Sequence, residues 1–119
     1  GCVVRDGDQF AAALSTGGIN DAIPGRVGDV PLIGCGLYAG PDGAVAATGD
    51  GEYIAMQMTA FRAYQLIEQG VDPKEIVATA ISWFKKPISF GIIVVSKTGF
   101  AGGSNDSMAW TASEIEISL

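Results

Sequence analysis

The sequence lacks histidine and is poor in cysteine and basic residues. Its 119 residues include no His, 2 Cys and 7 Lys or Arg against 13 Asp or Glu, a formal net charge of −6. Without histidine the chain contains no Ser-His-Asp triad, no Cys-His dyad and no His-ligated metal site, and we expect neither metal nor cofactor. The acidic balance argues against a nucleic acid partner, because phosphate binding needs clustered Lys and Arg.

The two cysteines and the apolar content indicate the compartment of the protein and the kind of partner to expect. Cys2 and Cys35 are too few for a disulfide framework, so we interpret them as buried thiols that favour a reducing cytoplasm. No apolar run reaches the roughly 18 residues of a spanning helix, so we expect no membrane partner. Apolar residues make up 48% and charged residues 17% of the chain. We therefore expect a partner chain, and residues 1–119 are enough for one small domain or for one half of a larger one.

Turn residues and hydrophobic spacing divide the chain into strands and helices. We predict a hairpin from 2–5 and 9–15, a loop over 17–28, strands at 31–38 and 43–47, helices at 51–69 and 72–86, and strands at 90–96, 99–105 and 110–117. The first helix is apolar nearly all round, so it should be buried on more than one face. Because the helices are segregated from the strand runs, the order favours an α+β fold with antiparallel sheets.

The segment ATGDGE joins a predicted strand to a predicted helix. The main-chain N–H groups from Gly49 onward would there point outward at a helix N-terminus, where an anion or a developing oxyanion is held well. Thr48 would add a hydroxyl donor. The alternative is that Thr48 and Asp50 simply cap the helix.

Two more segments carry candidate binding residues. Arg26 and Asp29 lie three residues apart in a glycine-rich loop. They suit an amino-acid head group, the guanidinium binding the α-carboxylate and the Asp binding the α-ammonium. They equally suit a surface salt bridge. Thr16, in the segment STGG, offers a hydroxyl beside flexible backbone, or is an ordinary residue at a strand end.

Taken in order and spacing, STGG, PGRVGD and ATGDGE closely resemble the β subunit of the plant-type asparaginases and isoaspartyl aminopeptidases. These belong with the glycosylasparaginases among the N-terminal nucleophile hydrolases. The resemblance covers residues 1 to about 110. It implies the β half of a four-layer αββα sandwich with two helices, completed by an α subunit from the same precursor, and a second αβ pair that forms a dimer of heterodimers.

The resemblance also implies a mechanism that needs no histidine. Such proteins cleave themselves before a threonine, whose hydroxyl then attacks a side-chain amide while its own α-amine acts as base. An α-amine has a pKa of about 7.7–8.0 and is available as a base near neutral pH. The family's β subunit begins Thr-hydrophobic-Gly, and Gly1 aligns with its third residue, so we expect the nucleophile two positions before Gly1.

Residue roles follow from the same resemblance. Thr16 would lie beside the nucleophile and tune its hydroxyl. Arg26 and Asp29 would bind the substrate's α-carboxylate and α-amine. Thr48 and the N–H of Gly49 would form the oxyanion hole.

Gly51 would add a main-chain contact to the substrate. Val30 departs from the serine that many relatives carry. Phe90-Gly91 looks more like the glycosylasparaginases, where a sugar amide is the substrate and the location would be lysosomal or periplasmic. The contrasting hypothesis is an inactive subunit that binds amino acids without chemistry.

Overall fold

The computed structural model describes residues 1–115. Its strands and helices follow the chain in a simple order. They are β1 Cys2–Asp6, β2 Gln9–Ala13, β3 Leu37–Gly40, β4 Gly43–Gly49, α1 Gly51–Met56, α2 Thr59–Glu68, α3 Pro73–Ser82, β5 Phe90–Ser96 and β6 Gly99–Ser104. The strands β1 and β2 form an antiparallel hairpin, and the other four form an antiparallel sheet in the order β3-β4-β5-β6.

The elements stack as three layers, with the four-stranded sheet in the middle. Helix α2 packs on β3 and β4, and α3 packs on β5 and β6, while the hairpin packs on β3, β4 and β5. The side chains of successive residues of β4 point to opposite faces of the sheet, as the pleat of a strand requires. Val45 and Ala47 belong to the core under the helices, whereas Ala46 lies beside Gly1 at the start of the hairpin. The predicted α+β class with antiparallel sheets is confirmed.

The start of α3 is as predicted from its sequence. Asp72 precedes the helix, and its Oδ1 accepts a hydrogen bond of 2.8 Å from the Lys74 amide, while Pro73 occupies the first helical position. The helix ends at Ser82 rather than at Lys86. Ile76, Val77 and Ala80 are the buried apolar residues on α3. Phe84, beyond its end, is also buried, and its ring stacks on Phe90 with centroids 4.0 Å apart.

The helix predicted over 51–69 is wrong in one respect, because the structure has two helices there and three in all within residues 1–115. Met58 interrupts them with a left-handed φ of 47°. The Thr59 hydroxyl donates to the Ile54 carbonyl at 2.9 Å and satisfies a carbonyl at the end of α1. The expectation of burial on several faces also fails, since α2 exposes the polar residues Arg62, Gln65 and Glu68.

Three further expectations need correction. Residues 31–36 form turns and a bend with one isolated bridge, from Ile33 to Leu37, and the strand predicted there begins only at Leu37. The last strand, predicted over 110–117, is not formed at 110–115, and 116–117 lie outside the described residues. Cys35 is buried, but Cys2 is exposed rather than buried. None of the helices within residues 1–115 combines the length and the apolar content needed to cross a bilayer.

Candidate active site

A cavity of about 180 Å³ lies where the end of the hairpin, the loop over 17–28 and the end of β4 meet. It gathers residues that are distant in sequence. The predicted site residues on its wall are Thr16, Arg26, Asp29, Thr48 and Gly49, and Gly1 and Val30 also line it. Gly51 lies directly behind, since a Cβ on it would be 2.6 Å from Asp29 Oδ1 and 3.2 Å from Arg26 Nη2.

Asp29 is held rigidly although it lies in a loop. Its carbonyl accepts hydrogen bonds of 3.1 Å from the amides of Leu32 and Gly36. The residue is only 5% exposed, and among the described residues Oδ2 has no hydrogen-bond partner. Burial raises the pKa of the Asp29 carboxyl, against smaller lowering effects of its own backbone amide and of Arg26. Such a buried carboxylate oxygen has unused capacity to accept a hydrogen bond.

Arg26 forms its ion pair with Glu52, so the prediction of a surface salt bridge with Asp29 is wrong. Glu52 Oε1 accepts from Nε at 2.8 Å and lies 2.7 Å from Nη2. This hydrogen bond is the main reason why the pKa of Glu52 is lowered. Both contacts use one side of the guanidinium. Nη1 lies on the other side, 3.0 Å from where a Cβ on Gly28 would stand.

Glu52 is the site residue that sequence reasoning missed. It follows Gly51 in the ATGDGE segment, but nothing local indicates that it contacts a residue 26 positions earlier. The only available signal was its charge, opposite to that of a predicted binding residue.

Thr48 and Gly49 end β4 at the cavity. Thr48 is exposed, and Gly49 has a φ of +136°, which favours glycine. The alternative in which Thr48 and Asp50 cap the helix is wrong. Asp50 precedes α1 without a side-chain cap bond, and its Oδ2 accepts from the Ser89 amide instead. Helix α1 has only 6 residues, so its dipole contributes less than the sequence suggested.

Thr16 lies beyond the end of the hairpin, on the same cavity wall. Its Oγ1 accepts a hydrogen bond of 3.0 Å from the Gly18 amide. The bond fixes the side chain and uses only a lone pair, so the hydroxyl hydrogen is available to a neighbour. The geometry thus suits a residue that donates to another group at the site.

A second, larger cavity adjoins the first. Its volume is about 360 Å³, and Gly1, Leu14 and Thr48 border both cavities. Its remaining wall is mostly apolar and includes Met108 and Trp110. Within residues 1–115, no group of three or more Asp, Glu or Cys side chains is arranged to hold a metal ion.

Comparison with known proteins identifies the family. The model of the asparaginase family matches residues 1–116. The chain belongs to the asparaginase family. It is 42% identical over 111 residues to a human isoaspartyl peptidase/L-asparaginase, covering 89% of this chain and 36% of the human protein. With the corresponding zebrafish (Danio rerio) protein the identity is 40% over 121 residues, covering 96% and 39% of the two chains.

An archaeal member of the asparaginase family is equally similar. The plant-type L-asparaginase of Pyrobaculum calidifontis is 41% identical over 104 residues, which cover 83% of this chain and 35% of the relative. The chain therefore spans a little over a third of the length of the curated relatives it matches. The resemblance that the three glycine-rich motifs indicate is confirmed.

Proposed function

We propose that this chain is the β-subunit portion of an amidohydrolase that cleaves the side-chain amide of L-asparagine, the β-linked amide of isoaspartyl peptides, or both. Family membership supports this proposal, as do the names of the relatives. The observation that carries it is the single cavity that collects Thr16, Arg26, Asp29, Thr48 and Gly49 from two separate stretches of chain.

The charges around the cavity match an aspartyl head group. The Asp29 carboxylate lies on the cavity wall and suits the substrate's α-ammonium. The Arg26 guanidinium offers Nη1, which Glu52 does not use, to the α-carboxylate. With both groups bound, the side-chain carbonyl would extend toward Thr48 and Gly49. Donors at that point would stabilise the oxyanion of the tetrahedral intermediate.

The nucleophile in this proposal is a threonine two positions before Gly1. Two extended residues span at most about 7 Å, so a threonine there would lie at the cavity that Gly1 lines. Its hydroxyl oxygen attacks the amide carbon, and its proton passes to the threonine's own α-amine. The C–N bond then breaks, the leaving amine takes that proton, and water hydrolyses the resulting ester. Thr16 would orient the attacking hydroxyl.

The incomplete layering supports the proposed partners. The outward face of the hairpin exposes Cys2, Val4, Ala11 and Ala13, an apolar surface that suits a further layer. We place there the α subunit from the same precursor, which would complete an αββα sandwich, and expect two αβ pairs to associate. A cytoplasmic location is part of the same proposal.

The test uses the protein expressed from its complete gene. Turnover of asparagine, a β-aspartyl dipeptide and a glycosyl-asparagine is measured, and the N-terminus of the mature chain is sequenced. An N-terminal threonine with turnover of either of the first two substrates supports the proposal. Preference for the glycosylated substrate identifies a glycosylasparaginase instead. Binding of aspartate without any turnover identifies an inactive binding subunit.

Variants of Arg26 make the assay specific. Arg26→Ala should raise KM for asparagine about 10- to 100-fold, because a charge-assisted hydrogen bond contributes about 1.5–3 kcal/mol. Arg26→Lys keeps the charge but loses the forked geometry, so its KM should lie between those of the wild type and of Arg26→Ala. An unchanged KM in Arg26→Ala would refute the binding of the substrate's α-carboxylate by Arg26.

A further inference from the structure

The Asp50 carboxylate takes the place of a main-chain carbonyl at the end of the central sheet. The β4–β5 ladder ends with the pair Gly49 and Phe90. One residue further, the Asp50 amide still donates to the Ser89 carbonyl at 2.9 Å, as a ladder would require. The Asp50 carbonyl does not return the bond, because it accepts from the amides of Tyr53 and Ile54 and so begins α1.

The side chain of Asp50 supplies the missing acceptor. Its Oδ2 accepts from the Ser89 amide at 2.8 Å, so Asp50 and Ser89 are joined in both directions. In an antiparallel ladder, pairs that exchange both hydrogen bonds alternate with pairs that exchange none. The chain therefore turns into α1 without releasing β5, and the Asp50–Ser89 clamp extends the ladder by one hydrogen-bonded pair.

This alternation bears on where the Gly49 amide points. Because Asp50 and Ser89 exchange two hydrogen bonds, the preceding pair, Gly49 and Phe90, is expected to exchange none. The φ of Gly49 is +136°, outside the range of a regular strand, so the bonds of Phe90 decide the direction, and they indicate that the Gly49 N–H is directed away from β5. The Phe90 amide donates to Asn105 Oδ1 at 2.9 Å, and its carbonyl accepts from the Asn105 amide at 3.0 Å, both on the side of β6.

Close packing makes the direction of Gly49 sensitive to Ser89. A Cβ on Gly49 would collide with the Ser89 carbonyl, so the two backbones are in direct contact. Ser89 is also anchored on its other side, since its hydroxyl donates to Asp106 Oδ2 at 3.0 Å. A shift of the segment around Ser89 would thus be transmitted to the peptide that carries the Gly49 N–H.

We propose that Asp50 is a positioning residue that sets the direction of the Gly49 N–H through the Asp50–Ser89 clamp. The proposal rests on the proposed function, in which that N–H stabilises the oxyanion. Asp50 touches no reacting atom in this account. Its loss should lower kcat, which depends on the oxyanion, and should leave KM, which depends on Arg26 and Asp29, nearly unchanged.

The experiment compares three variants of the protein expressed from its complete gene. Asp50→Ala removes the acceptor for the Ser89 amide, and Asp50→Asn keeps a weaker, neutral one. Asp72→Ala is the matched control, because it also deletes a carboxylate that accepts from one main-chain amide. Asp72 lies at the far end of α3 from Phe84 and Phe90.

We expect kcat for asparagine to fall about tenfold or more in Asp50→Ala, with KM within about twofold of wild type. Asp50→Asn should lose only about two- to fivefold in kcat. Asp72→Ala should lower the melting temperature and keep the wild-type kcat. A wild-type kcat in Asp50→Ala, or changes that merely parallel those of Asp72→Ala, would overturn the proposal. If the alanine variant does not assemble, the kcat of Asp50→Asn decides in the same way.

Hydrogen exchange separates this proposal from the proposed function. The Ser89 amide should exchange about tenfold faster in Asp50→Ala, while the Phe90 amide, held by Asn105, stays protected. If the wild-type protein turns over none of the three substrates, the proposed function fails, and the exchange rate of Ser89 still tests the clamp. An unchanged rate at Ser89 would overturn it.

Discussion

The Arg26 guanidinium is joined to the Glu52 carboxylate, with Nη2 and Oε1 2.7 Å apart. Arg26 is the less exposed partner, its side chain being 18% accessible against 57% for Glu52. Glu52 thus fixes the orientation of Arg26 from the solvent side and adds a negative charge close to the place where a substrate carboxylate would bind. Orientation and repulsion act in opposite directions on substrate affinity.

We predict that Glu52→Gln lowers KM for asparagine about two- to fivefold. The amide still accepts from Arg26, but the repulsion of the substrate carboxylate is gone, and the effect is small because the charge of Glu52 is exposed to solvent. Initial rates at low and high salt check this prediction. Because Glu52 is exposed, the gain should shrink at high salt. A KM above that of wild type would mean that holding Arg26 matters more than the charge.

We predict that Asp29→Asn stabilises the protein at neutral pH while weakening substrate binding. Burial raises the Asp29 pKa above its ordinary value of 3.8, so folding is disfavoured by the charged carboxylate. The contribution of Asp29 to stability is complete below pH 3.8 and is lost as the pH rises through the raised pKa. The Asp29→Asn variant has no charge at this position.

The melting temperatures of the wild type and of Asp29→Asn are measured across this pH range. The difference between them at each pH isolates the effect of Asp29 from that of the other titrating groups. The melting temperature of Asp29→Asn should exceed that of wild type near pH 7, and the excess should vanish in acid. Its kcat/KM for asparagine should fall at least about tenfold, since a charged partner of the ammonium is lost. A variant that is less stable than wild type at pH 7 would contradict the role of burial.

We predict that Gly51→Ala raises KM and lowers stability by about 1–3 kcal/mol. The added methyl would lie 2.6 Å from Asp29 Oδ1, and the other carboxylate oxygen has no room to retreat, because Gly36 is packed against it. Gly17→Ala is the matched control, since a Cβ there meets nothing within 4 Å. Urea unfolding and asparagine kinetics on both variants provide the measurement. Equal behaviour of the two would show that Asp29 tolerates displacement.

We predict that Thr48→Val lowers kcat about 10²- to 10³-fold if its hydroxyl stabilises the oxyanion. Valine keeps the shape and the strand preference of threonine, so β4 should be retained. Thr48→Ser restores the hydroxyl and should recover most of the rate. Steady-state kinetics of the two variants test the role, and a valine variant with wild-type turnover removes Thr48 from the oxyanion hole.

Local sequence signals account for the parts of the fold that were predicted well. Asp6-Gly7-Asp8 marks the turn of the hairpin, and Asp72-Pro73 marks the start of α3. The break between α1 and α2 was missed because Met58 adopts a left-handed conformation and no glycine or proline at that point indicates a break. Its cause is tertiary, since the amides of Ala60 and Phe61 donate to Cys35 and Gly34.

The candidate site, like the fold, could be predicted only in part from the sequence. The motifs identified Thr16, Arg26, Asp29, Thr48 and Gly49 on the cavity wall, because each motif combines a polar side chain with glycines at a loop or strand end. They did not reveal what Asp50 and Glu52 contact. The partners of these residues, Ser89 and Arg26, are brought close only by the folded sheet and loop.

A crystal structure of the mature protein with bound L-aspartate, the product of asparagine hydrolysis, would show directly whether Arg26 and Asp29 bind the head group. We predict the α-carboxylate on the Arg26 guanidinium, the ammonium on Asp29, and the side-chain carboxylate within hydrogen-bond distance of the Thr48 hydroxyl and the Gly49 amide. Aspartate bound in the reverse orientation, or bound away from Arg26 and Asp29, would contradict this prediction.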